Sequence, residues 1–167
     1  IEEEGYTLVA AASAFTAQNF MAFVSKPIWG LIAERTTIRY STAVEFALGG
    51  IGLLGVFLAM SVAGSLPLAY GFAGVIGLSI GGVVVNHELV WANSFGRQSL
   101  GLVRGTGQPF TIVSSALGPL VGGLLYDATG SYSVAMPIYV ASYALAVVVI
   151  LFARPPRYDA VQVTVGA

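Results

Sequence analysis

The chain has 167 residues, 56% of them hydrophobic and 9% charged, with a formal net charge of −1 and a mean hydropathy of +0.83. A soluble domain carries about 25% charged residues, so this chain has too little charge to cover a water-exposed surface, and its near-zero net charge sets up no field that would hold nucleic acid. It has no cysteine, which excludes disulfides and thiolate metal sites.

Crossing the hydrocarbon core takes about 20 apolar residues. Taken in chain order, residues 1–6 are acidic and lack the basic start of a signal peptide. They read as a cut end or an external loop. Five apolar runs follow, at residues 7–32, 41–63, 67–92, 108–126 and 133–152. Each is too long and too uniformly apolar for a barrel strand, which needs about 10 alternating residues. The pattern predicts an all-α, polytopic membrane protein with five transmembrane helices. Residues 1–153 form the transmembrane bundle and residues 154–167 a cytoplasmic tail. The connections are short, except for residues 93–107.

The breaks between runs differ in charge. Arg35 and Arg39 lie in the first, Arg97 and Arg104 in the third, and Arg154 and Arg157 after the last run. The breaks at 62–66 and 127–132 hold no Lys or Arg. Basic connections face the cytoplasm in helical membrane proteins. The alternation therefore predicts an external N-terminus and a cytoplasmic C-terminus in a plasma (inner) membrane. The lipid bilayer is the first expected partner.

Glycine is abundant, 21 of 167 residues, and much of it lies inside the runs. Gly77 and Gly81 are four apart, as are Gly118 and Gly122. Small residues at that spacing let helices approach closely in lipid.

The first basic break, Gly30-Leu31-Ile32-Ala33-Glu34-Arg35-Thr36-Thr37-Ile38-Arg39, resembles the signature loop of the major facilitator superfamily, with Glu34 where Asp is usual. Asn93-Ser94-Phe95-Gly96-Arg97-Gln98-Ser99-Leu100-Gly101, followed by Arg104-Gly105, is similar to that family's loop between helices ten and eleven. Ala116-Leu117-Gly118-Pro119-Leu120-Val121-Gly122-Gly123 is similar to its eleventh helix. The resemblance implies that the five runs are helices eight to twelve of a twelve-helix facilitator fold. A missing N-terminal half would be the partner. Transport would proceed by alternating access, with substrate held between the halves. The five helices alone would not transport.

Lys26 lies nine residues before Arg35, about 13 Å deeper at about 1.5 Å per residue. A charge at that depth needs a cavity, a partner or a ligand. Lys26-Pro27-Ile28-Trp29-Gly30 resembles the basic-Pro-x-x-Gly of the monocarboxylate and oxalate–formate branch, where the basic residue binds the substrate carboxylate. That branch has an acid four residues earlier, where this chain has Ala22. The implied substrate is a small organic anion, a monocarboxylate or dicarboxylate, moved with a proton or a counter-anion. Drug efflux or sugar transport within the same superfamily, and a non-transporting scaffold or sensor, are the alternatives.

Asn19 shares the Lys26 helix face, and Gln108, Thr111 and Ser115 share a face of the fourth run. These five are the candidate substrate-binding residues. Gly30, Glu34, Arg35, Arg39, Glu88 and Arg97 are the gating or loop-motif residues, with Glu88 expected to pair with Arg97 or another basic residue. His87 is a candidate proton carrier, and Glu45 is expected to pair with an inner-side arginine. No nucleophile–base pair or phosphate loop stands out, so no enzyme activity is expected. No cofactor is expected, and one histidine without cysteine argues against a metal site.

The topology is directly testable because the chain has no native cysteine. Single cysteines at Ser65 and Ser131 should react with an impermeant thiol reagent from outside the cell. One at Ser99 should react only after the membrane is opened, and outside labelling of Ser99 reverses the orientation.

Overall fold

The computed structural model describes residues 8–95 and 100–153. All elements among them are helical: α1 (Leu8–Arg35), α2 (Ile38–Ser61), α3 (Leu66–Phe95), α4 (Leu100–Thr129) and α5 (Ala135–Phe152). All five are long and apolar enough to cross a membrane. The expected spans hold, and the helices run past them into the first and third connections, so that Arg35 and Arg39 are helical. α3 runs on to Phe95 and α4 begins at Leu100, so Arg104 is a helical residue rather than a loop residue. A helix end that leaves the hydrocarbon can continue into the interface, so apolarity marks the span and not the helix boundary.

The turns at 62–65 and 130–134 close one end of the bundle. Gly64 has φ +56° and Gly130 φ +68°, a region that residues with a Cβ enter at a cost. At Gly130 the amide donates to the Tyr126 carbonyl at 2.7 Å. This is the left-handed cap that ends a helix while satisfying one of its last carbonyls.

The packing centres on α3. One side of α3 packs broadly on α1, another on α2, and α2 in turn packs on α5. α4 touches α3 and α5 only sparsely. Hydrophobic residues do not drive helix pairing in lipid; close van der Waals contact does. The α1–α3 seam is built that way. Gly77 sits against the Gln18 carbonyl, and a Cβ on Gly81 would lie 2.6 Å from the Ala22 carbonyl oxygen. Gly82 accepts the Trp29 indole, whose Nε1–H donates to the Leu78 carbonyl at 2.8 Å. The α2–α3 seam is as close. A Cβ on Gly52 would lie 2.7 Å from Ile76 Cγ1, and Gly55 lies under the Phe72 ring. Of the glycine pairs read from sequence, Gly77 and Gly81 make a helix contact. Gly122 meets the Tyr139 hydroxyl, and Gly118 has open space where a side chain would be.

A paired substitution tests the seam. Gly77→Ala pushes a methyl into the Gln18 backbone, which cannot rotate away, and should cost about 1–3 kcal/mol as overpacking does. Gly74→Ala enters open space and should be neutral or slightly stabilising. Unfolding in mixed micelles reads both; equal effects would mean that α1 does not depend on the glycine contact.

Candidate functional site

The expected ligand residues fall on two helices. On α1, the face toward α3 is Ala22, Ser25 and Trp29. Lys26 and Asn19 lie to one side of that face and are exposed. Asn19 donates its amide to the Phe15 carbonyl at 2.8 Å. Ala22, the position of the acid in the resembled branch, is buried in the α1–α3 seam. A carboxylate there would have to displace that contact.

On α4, Gln108 and Ser115 are exposed and Thr111 is half-buried. Thr111 and Ser115 do share a face: they line a groove of about 500 Å³ between α2, α4 and α5, with Ser114, Ser142, Phe46 and Tyr143. Ser115 donates to the Thr111 carbonyl at 2.8 Å, and Ser142 to the Tyr139 carbonyl at 2.7 Å. Hydroxyls that give their proton to their own helix leave lone pairs for the groove. Gln108, expected on the same face, does not line this groove, and neither do Lys26 and Asn19. The two sets of candidate residues are therefore not brought together within the five helices.

The loop-motif residues sit at the second end of the bundle. Glu34 and Arg35 are exposed in the last turn of α1, Gly30 is half-buried, and Arg39 is half-buried in the first turn of α2. Thr37 makes no side-chain cap to α2. Glu88 forms the expected ion pair, with Arg104 as the base; Arg97 lies outside the described residues. Beside that pair the Trp91 ring lies against Gly107 and meets the His87 ring edge-on, with centroids 5.3 Å apart. Together these hold α4 to α3 near this end. Further along α4, Tyr139 of α5 donates to the Gly118 carbonyl at 2.7 Å.

Glu45 corrects an expectation. It is 2% exposed, and among the described residues it pairs with no arginine; Arg97, Arg154 and Arg157 lie outside them. Its partner is Asn86 of α3, whose amide donates to Oε2, while Ser41 donates to Asn86 Oδ1 at 2.9 Å. Asn86 is wholly buried. Sequence reading passed over Asn86 because one amide in an apolar run has no distinctive spacing. The signal was its depth: it lies nine residues inside the end of α3, opposite the start of α2.

A second cavity, about 550 Å³, lies toward the opposite end between α1, α2, α3 and the start of α5. Its lining is mainly alanine, phenylalanine and methionine, with Gln18 and Ser133 among the few polar groups. None of the expected ligand residues reaches it.

No protein-family model matches the chain, and no curated protein matches it. The facilitator resemblance therefore rests on the loop and helix motifs themselves.

The Glu88–Arg104 pair should add little stability by itself. Both side chains are about half exposed, and exposed pairs contribute roughly 0–1 kcal/mol. A double-mutant cycle with Glu88→Gln and Arg104→Gln in mixed micelles should give a coupling in that range, falling as salt is added. A larger, salt-independent coupling would mean that the pair is shielded.

Proposed function

We propose that the five helices belong to a facilitator-type secondary transporter that moves a small organic anion by alternating access. The observation that carries this reading is the polar content of two helix faces left uncovered by the bundle. Lys26 and Asn19 stand beside the packed face of α1, and Gln108 and Ser115 stand on α4, which few contacts hold. An uncompensated charge mid-membrane costs about 2.5–3.5 kcal/mol on insertion scales. A water-filled cavity between this bundle and a second half would remove that cost for Lys26. It would also give the candidate residues on α1 and α4 a common space, which the five helices do not give them.

Lys26 would meet the carboxylate, and the α4 groups would orient the rest of the substrate. The second half of the transporter would be the partner covering α1 and α4, with the first and third connections facing the cytoplasm. The motion would be a rocking of the halves, driven by a solute or proton gradient.

In cells expressing the whole transporter, uptake of labelled lactate and oxalate should fall to background in Lys26→Gln, with insertion unchanged. Lys26→Arg replaces a compact ammonium with a planar fork and should keep part of the activity. Transport of these anions by Lys26→Gln with unchanged rate and affinity would make Lys26 structural and remove the organic-anion assignment.

A further inference from the structure

We propose that Glu45, Asn86 and Ser41 form a reversible proton-binding site buried between α2 and α3. Three observations lead to it. The carboxyl is almost wholly buried in a membrane-spanning helix. Among the described residues its hydrogen-bond partner is a neutral amide. That amide is in turn held by a hydroxyl, a group that can either give or accept a proton in a hydrogen bond.

Among the described residues no cation is paired with the carboxyl. On α3, Asn86 is the contact; His87 and Glu88 are exposed, and Glu88 is taken by Arg104. On α2, Arg39 is in the first turn, six residues earlier. On α5, the neighbour is Tyr143, whose ring edge would lie 2.5 Å from a Cβ on Gly49, one turn beyond Glu45. On α1, Lys26 is exposed and away from the α2–α3 seam. Among the described residues no ion pair joins Glu45 to any of them.

The chemistry of the three side chains allows two fully bonded states. With the carboxyl ionised, Asn86 donates its N–H to Oε2 and receives the Ser41 O–H at Oδ1. A proton arriving on the carboxyl makes that group a donor. The amide then turns over, so that Oδ1 accepts from the Glu45 O–H and the amide N–H donates to Ser41 Oγ. In the turned state the freed Ser41 O–H donates to a carbonyl of its own helix, so each of the three side chains keeps its partners, which is the condition for a buried network to be tolerated. The turned amide has the same shape, since its oxygen and nitrogen are nearly isosteric. A metal cation does not fit as well, because the amide N–H is aimed at the carboxylate. The way in is Tyr143, which stands between this seam and the acceptor-lined groove of Thr111, Ser114 and Ser115. Proton binding here does not depend on what the bundle transports.

Infrared difference spectra of the 167-residue chain in lipid nanodiscs, recorded across acid-to-neutral pH, test the site. A carbonyl band of a neutral carboxylic acid should appear, shift in D₂O, and be absent in Glu45→Gln but present in Glu34→Gln and Glu88→Gln. If every carboxyl band survives Glu45→Gln, the group does not bind a proton and the proposal fails. Should Glu45→Gln not fold, Ser41→Ala and Asn86→Ala keep the carboxyl. Each should move the band's frequency by removing one bond from the network. An unmoved band in both overturns the proposal equally.

Discussion

The arrangement depends on how closely α3 is approached by α1 and α2. Lipid offers no hydrophobic gain for pairing helices, so contact distance has to supply the attraction. Gly77, Gly81 and Gly82 admit α1, and on the opposing helix Gly52 and Gly55 admit α3. At each of these positions a Cβ would meet backbone or a ring, with the Ser25 hydroxyl at Gly81 and the Ile76 side chain at Gly52 in the way as well. The Trp29 indole and the Tyr70 hydroxyl then donate across the seam to the Leu78 and Ala10 carbonyls. These donors are effective only because the glycines bring the backbones within reach.

The same closeness makes a buried carboxyl tolerable. Glu45 lies in the same α2–α3 seam, two turns before Gly52, and Asn86 bonds to it directly. Several other hydroxyls bond to their own helix: Thr16, Thr42, Thr106 and Ser115 each donate to the carbonyl four residues back. Such back-bonding satisfies a hydroxyl in a spanning helix at little cost. It also separates two classes of polar residue. Those bonded within their helix can face lipid or a cavity, while Ser41, Glu45 and Asn86 are bonded between helices and hold two elements in register.

Much of the architecture was legible from residue order. Five runs of about 20 apolar residues leave no other regular structure in a bilayer, because every backbone group must be satisfied within the segment. Gly77 and Gly81 were legible by spacing, and the Thr111–Ser115 face by helical period. The missed features share a cause: a helix that is apolar on all sides gives no period from which to read its packed face. The α2 glycines look alike in sequence whether they face α3, α5 or lipid. Glu45 was given an arginine partner, whereas among the described residues it meets Asn86, because the facing residue depends on helix rotation and not on position along the chain. Lys26 and Asn19 were correctly put on one side of α1, but period alone does not say which neighbour that side meets.

α4 differs from the other four helices in what holds it. It carries Pro109 and Pro119, and each ring removes an N–H donor and frees a carbonyl one turn earlier. Its contacts are local: Trp91 on Gly107, the Glu88–Arg104 pair, and the Tyr139 hydroxyl on the Gly118 carbonyl. Two of these lie in the first eight residues of α4 and one past its middle. Exposed Phe110, Leu117, Leu120 and Leu124 occupy much of the rest. Apolar surface of that extent is stable against lipid or against further helices, and the hydroxyls of Thr111 and Ser115 mark the side on which α4 is not purely lipid-facing. The α1–α2–α3–α5 group, joined through close glycine seams, is the closely packed part. α4 is tethered to it at a few points, so a shift of α4 would change the groove that leads to Tyr143 while leaving the Glu45–Asn86 seam intact.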